Sequence, residues 1–209
     1  MRDMPDKAYE LAIVDPPYGI GADNVKESIT KKTHAHGEIR RKAYSGNWDT
    51  SAPIQGYFDE LFRVSKDQII WGGNYFIESL KCTRCMVMWD KESMDFTGAD
   101  FELAWTSFDS SCKAFRMSRV MAYSNPRKAD REIRIHPTQK PVRLYEWLLQ
   151  NYAKPGYRIL DTHCGSGSIL IACDILGFSI DAYEIDEDYY QAAKERLERH
   201  QRQQVLDLK

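Results

Sequence analysis

The chain has 209 residues, and no run approaches the ~18 uncharged apolar residues that a membrane span needs. It has no internal repeat and no low-complexity segment. Its 12 glycines and 8 prolines are too few for a fibrous or disordered chain. Cysteine is scarce and odd in number: Cys82, Cys85, Cys112, Cys164 and Cys173. An odd count argues against a disulfide framework. Cys82 and Cys85 form one C-x-x-C, but no second pair follows at finger-like spacing, and His34 and His36 stand apart from it. No metal site is therefore expected, and the thiols are expected to be free. The N-terminal MRDMPDKAYE lacks the apolar core of a signal peptide, which predicts a cytoplasmic protein with reduced thiols. An overall positive charge is also missing: 29 Lys and Arg face 31 Asp and Glu, a net charge of −2.

The distribution of charge says more than its sum. Residues 22–42 hold six basic side chains, among them Lys31, Lys32, Arg40, Arg41 and Lys42, against three acids. Residues 113–134 hold seven, among them Arg116, Arg119, Arg127 and Lys128, against two acids. The acids gather instead near 181–188. Two readings are open: a basic face despite the acidic total, the footprint of a polyanion partner, or two solvated loops.

The length suits one domain with a real core. YELAIV (9–14), QIIWGG (68–73), CMVMWD (85–90), DFELAWTSF (100–108), YRILD (157–161) and FSIDAYEID (178–186) read as strands. IQGYFDELFRVS (54–65) carries Ile54, Tyr57, Phe58, Leu61 and Phe62 at helical spacing. PVRLYEWLLQNYA (141–153) reads as a helix that opens on proline and stops at Lys154-Pro155-Gly156. Residues 166–176 and 186–204 complete the helices, while 19–50 and 109–135 look irregular. Strand–loop–helix–strand order in the second half means parallel pairing. The fold class is α/β, with a mainly parallel sheet and helices on both faces.

Two loops carry chemistry. DPPY (15–18) ends the first strand with an acid, two rigid residues and an aromatic ring; proline cannot continue a ladder. LDTHCGSGS (160–168) joins a strand to a helix through Gly165 and Gly167, a nucleotide-type turn at the carboxyl edge of a sheet. It is neither the dinucleotide fingerprint nor a P-loop, since the third glycine and the lysine are absent. Glu184 lies 19 residues past Gly165, a spacing that suits a carboxylate on a ribose diol. A ligand with a ribose and a cationic centre, such as an adenosyl sulfonium, fits these residues.

DPPY first, HPTQKP (136–141) next and the glycine loop last is a specific combination, and with WGGNYF (71–76) and DFELAWTS (100–107) it covers nearly the whole chain. In it the sequence resembles the beta-class S-adenosylmethionine-dependent DNA amino methyltransferases. The resemblance implies a Rossmann-like methyltransferase fold, with a seven-stranded-type sheet that contains a reversed hairpin. It implies methyl transfer from S-adenosylmethionine to a flipped base in double-stranded DNA, as in restriction–modification enzymes of bacterial or phage type. Adenine N6 is the favoured target because DPPY, rather than SPPY, is the usual adenine form. Cytosine N4, an RNA or protein target, and an inactive DNA-binding module are the alternatives.

The resemblance assigns catalysis to Asp15, Pro16, Pro17 and Tyr18. It assigns the cofactor to Asp15, His136, Thr138, Lys140, Asp161, His163, Cys164, Gly165, Ser166, Gly167, Ser168, Glu184 and Ile185. Thr138 and Lys140 are expected to meet the methionine carboxylate. DNA contacts fall to Lys31, Lys32, Arg40, Arg41, Lys42, Arg116, Arg119, Arg127 and Lys128. On this reading residues 1–209 form one catalytic domain, with 19–50 a mobile basic loop and 108–135 a short target-recognition segment. The class often forms homodimers, so a second copy is an expected partner. Trp71, Trp89 and Trp105 are expected in the core, and VLDL (205–208) is a candidate substitute strand. The chain departs from the family's DPFxGSGT at Thr162, His163 and Ser168.

Overall fold

A computed structural model describes residues 1–21, 29–30, 39–40, 49–92, 99–118 and 135–207, with the backbone alone at 29–30, 39–40 and 204–207. The first apolar run is β1 (Tyr9–Val14). Its Leu11, Ala12, Ile13 and Val14 are all buried, as expected for a central strand covered on both faces. β2 (Ile29–Thr30) and β3 (Ile39–Arg40) pair as an antiparallel ribbon within the stretch read as irregular. The rest of the chain contributes β4 (Ser65–Trp71), β5 (Met86–Asp90), β6 (Phe101–Thr106), β7 (Lys113–Arg116), β8 (Arg158–Asp161) and β9 (Ser179–Ala182). The helices are α1 (Gln55–Val64), α2 (Val142–Tyr152), α3 (Ser168–Leu176) and α4 (Glu187–Asp207).

The main sheet has seven strands in the order β7-β5-β6-β4-β1-β8-β9. Every neighbour pair is parallel except those made by β6, which runs against both β4 and β5. The reversed strand is the return arm of the β5–β6 hairpin. This is the mainly parallel α/β arrangement that the element order implied, with the Rossmann-like order and reversed hairpin that the resemblance implied.

Alternation along the strands divides the core in two. Leu11, Ile13, Ile69, Trp71, Val87, Trp89 and Ala104 pack under α2 and α3. Ala12, Val14, Ile70, Trp105 and Leu160 pack with Phe58, Leu61 and Val64 of α1 on the opposite face. Each fully buried Leu or Ile stabilises the fold by roughly 1.5–3 kcal/mol. All three tryptophans named above are in the core.

Four local expectations are corrected. Lys113–Arg116 is an edge strand inside the segment read as irregular, because it finds an open parallel edge on β5. Residues 205–207 continue α4, so VLDL supplies no strand. β9 ends at Ala182, three residues after Ser179, which leaves Glu184 beyond the ladder. Ile54 is 80% exposed because it precedes the first turn of α1. Among the described residues no helix is long and apolar enough to cross a membrane, and no group of three metal-binding side chains converges.

Candidate active site

A cavity of about 360 Å³ opens at the carboxyl ends of β1 and β8. Asp15 and Pro17 line it after β1; His163, Cys164, Gly165 and Ser166 line it after β8; Glu184 and Ile185 line it after β9. His136, Thr138, Gln139, Lys140 and Tyr145 close it from the segment leading into α2. Three motifs, at 15–18, 136–141 and 160–168, thus share one wall, as the crevice rule for open α/β sheets requires. Thr50, Ser51, Gln139 and Tyr145 also line it and were not foreseen. Pro16, Tyr18, Asp161, Gly167 and Ser168 are not among the lining residues.

The glycine loop is held by its neighbours. Gly167 has φ +69° and caps α3, and a Cβ there would stand 3.0 Å from Ala193 of α4. Arg196, also from α4, donates to the Ser166 carbonyl at 2.8 Å and to Ser168 Oγ at 2.9 Å. Sequence reading missed Arg196; its only signal was a buried-side position in a charged helix. Glu184 accepts from the Gly165 N–H at 2.8 Å and from the Asp186 N–H at 2.9 Å. Each of its oxygens keeps a second lone pair for a ligand hydroxyl.

Asp161 is 1% exposed at the foot of this loop and accepts from the His163 N–H at 3.0 Å. Burial pushes its carboxyl up to about 8, helped by the nearby Asp15 and Glu184 carboxylates. His163 is held down at about 4 by burial, so its ring is neutral near pH 7. Its Nδ1 lies 3.0 Å from Thr162 Oγ1, which lies 2.7 Å from the Tyr57 hydroxyl. The polar pair that replaces proline and phenylalanine is therefore satisfied by α1. The Cys164 thiol is pushed up by burial and by Asp161 and Glu184, which suits a wall and not a nucleophile. His136 packs edge-on against Tyr189 at 4.3 Å and pairs Nδ1 with Thr138 Oγ1 at 3.0 Å.

The Asp15 end is built differently. Asp15 Oδ1 accepts from the Tyr18 hydroxyl at 2.6 Å, and Oδ2 accepts from Lys140 Nζ. Lys140 is buried, lies 3.1 Å from Glu102 and sits 5.0 Å over the Trp71 ring. Glu102 in turn meets the buried Lys91 at 2.6 Å. Burial pushes Glu102 up, but Lys140 and Lys91 outweigh it and hold its carboxyl at about 2. Lys140, expected on a ligand carboxylate, lines the cavity and is bound to two protein carboxylates. Tyr18 stacks on Tyr75 with ring centroids 4.7 Å apart. The contact needs Gly72, at φ +71°, because a Cβ there would come within 2.2 Å of the Tyr18 ring.

Of the basic residues, Arg116 is exposed on β7, 3.3 Å from Asp90. Arg40 is described in backbone only. Lys31, Lys32, Arg41, Lys42, Arg119, Arg127 and Lys128 lie outside the described residues.

This sheet order, with a ligand cavity between a glycine loop and an acid-proline turn, defines a Rossmann-like methyltransferase fold. The model of the N6_N4_Mtase family of DNA methylases matches residues 70–195, and the chain belongs to that family. The type II methyltransferase M.HpaI of Haemophilus parainfluenzae is 22% identical over 95% of this chain and 71% of its own length. Two solved structures share the fold. The M1.HpyAVI–SAM complex has a TM-score of 0.55 at 18% identity, covering 91% of this chain and 90% of that one. The cytosine-N4-specific PvuII DNA methyltransferase has a TM-score of 0.57 at 13% identity, covering 92% and 80%.

Proposed function

We propose that this DNA methylase transfers a methyl group from S-adenosylmethionine to the N6 amino group of an adenine flipped out of double-stranded DNA. The observation that carries the reading is a cavity lined by Asp15 and Pro17 together with the glycine loop and Glu184. Its residues fit the cofactor. The carboxylates of Asp15 and Glu184 suit a cationic sulfonium, and Glu184 at the glycine loop suits a ribose diol. His136, Thr138, Gly165, Ser166 and Ile185 supply the remaining walls.

When bound, the cofactor supplies an electrophilic methyl whose C–S bond breaks as the new N–C bond forms. The chain's task is to prepare the nitrogen. An exocyclic amino lone pair is delocalised into its ring and is a poor nucleophile. Asp15 accepts one amino hydrogen through its carboxylate, and the Pro16 carbonyl accepts the other. Both acceptors draw the nitrogen toward tetrahedral geometry. The two prolines keep the acceptors rigid, and positioning of this kind is worth roughly 7–11 kcal/mol. Positive charge gathers on the nitrogen as the bond forms, and Asp15 stabilises it until one amino proton is lost. Tyr18, already stacked on Tyr75, extends an aromatic platform beside Asp15.

The base must leave the duplex to reach this site, at a cost of a few kcal/mol. Phosphate contacts from the basic residues of 22–42 and 113–134 offset that cost and make binding salt-dependent. Adenine is preferred because the motif after β1 reads DPPY, the form that the resemblance associates with adenine, and not SPPY. The test is methyl transfer from labelled S-adenosylmethionine to unmethylated duplex DNA, followed by digestion to nucleosides. N6-methyladenine is the expected product. N4-methylcytosine would overturn the base assignment, and no transfer to DNA would overturn the activity.

A further inference from the structure

Period-2 alternation places charged groups where apolar ones belong. On β1 the face that buries Leu11 and Ile13 continues to Asp15; on β5 the face of Val87 and Trp89 continues to Lys91; on β6 Ala104 shares its face with Glu102. Strands β5, β6, β4 and β1 are consecutive neighbours in the sheet. Their ends therefore carry Lys91, Glu102, Trp71 and Asp15 side by side. Lys140 enters from above and completes a string of alternating charge: Lys91, Glu102, Lys140, Asp15. Neither Lys91 nor Glu102 lines the cavity. Burying Lys91 and Lys140, with Asp15 and Glu102 partly buried beside them, is costly unless each charge is paired, and Lys91 is outside every motif read from the sequence.

We propose that Glu102 is a further positioning residue of the methyl-transfer site, holding the Lys140 ammonium and offsetting its charge at the reacting nitrogen. This rests on the methyltransferase reading above. Lys140 alone beside Asp15 would oppose the positive charge that grows on the amino group. Glu102 cancels that opposition, so the Asp15 carboxylate keeps its full effect. Glu102 also anchors the ammonium from the side away from Asp15, while Tyr18 holds Oδ1. The Asp15 carboxylate is thus fixed through both oxygens, and each oxygen retains a lone pair for the amino group. Lys91 takes the second oxygen of Glu102 and keeps the string neutral as a whole.

The charge count separates this role from simple packing. Glu102→Gln leaves one excess positive charge next to a reaction that builds positive charge. Lys91→Met leaves one excess negative charge, and the double variant is neutral again. Single-turnover methyl transfer to duplex DNA, with S-adenosylhomocysteine binding measured on the same preparations, reads all four proteins. Glu102→Gln is expected to lower the transfer rate by about 10- to 100-fold, with the dissociation constant for S-adenosylhomocysteine within threefold of wild type. Lys91→Met is expected to keep or raise the rate, and adding it to Glu102→Gln is expected to restore at least fivefold. A Glu102→Gln rate equal to wild type, or a double variant slower than Glu102→Gln, would overturn the inference. Where Glu102→Gln shows no melting transition, Lys91→Met decides: a tenfold loss of rate with unchanged binding overturns it. A wild-type protein that transfers no methyl group to DNA sinks the methyltransferase reading itself, and this inference with it.

Discussion

Asp161 and Glu102 are two carboxylates of one site, and burial acts on both in the same direction. They end at opposite extremes. Asp161, at the foot of the glycine loop, is pushed up to about 8, with only a backbone N–H and a weak pull from Lys140 to counter its burial. Glu102, at the far end of the Asp15 string, is held at about 2 because Lys140 and Lys91 both touch it. Burial raises an acid; two cations in contact reverse the sign. The cavity thus has a hydrogen-bonded end that suits holding a ligand. Its other end is ionic and suits steering charge.

The largest expected effect lies at the ionic end. Asp15→Ala removes the acceptor and is expected to lower methyl transfer by at least 10²–10³-fold, while S-adenosylhomocysteine still binds. Activity near wild type would break the contrast. At the other end, Glu184→Ala should raise the dissociation constant for S-adenosylhomocysteine by roughly 10- to 100-fold. It also leaves the Gly165 and Asp186 N–H groups without their acceptor, at about 1–3 kcal/mol for each one buried, so the melting temperature should fall.

Asp161 offers a sharper probe through pH. Its folded value is raised, so the folded chain binds a proton that the unfolded chain has released between about 4 and 8. Stability from this group is therefore present at low pH and is lost as pH rises through that window. Urea midpoints at pH 5 and pH 8 should differ less in Asp161→Asn than in wild type. The smallest effect is expected from His163→Phe, which restores the family's residue. His163 is depressed to about 4, so the wild type loses stability as pH falls from 6.5 toward 4. The phenylalanine variant should lose that acid sensitivity in the same urea titration, with S-adenosylhomocysteine binding within about threefold.

Much of the fold was legible because its central strands are short apolar runs cut by strong stops. β1 coincides with YELAIV, and the prolines after it mark its end. α2 starts after Pro141 and ends before Lys154-Pro155-Gly156. β7 was not legible: KAFR has four residues, mostly exposed, and becomes a strand through pairing with β5. The glycine-loop members of the site were also legible, since a turn of that kind needs its glycines locally. The partners of Lys140 were not. The lysine in HPTQKP is expected from the sequence to meet a ligand carboxylate, and only the approach of β6 supplies Glu102. Lys91 and Glu102 did leave one trace, a charge at an inward strand position, but alternation alone does not say which charges meet.

DPPY illustrates the division. By itself the sequence determined that the first strand must stop at Val14, that an acid follows it, and that a glycine turn near the C-terminus awaits a ligand. These are local matters of φ, missing N–H groups and side-chain period. Only the tertiary structure decided that Asp15 faces Lys140 and not open solvent, and that Glu102 shares that lysine. It also set Tyr18 on Tyr75. Ion pairing and ring stacking act between residues distant in sequence. The order of strands across the sheet, not the order along the chain, chooses those partners.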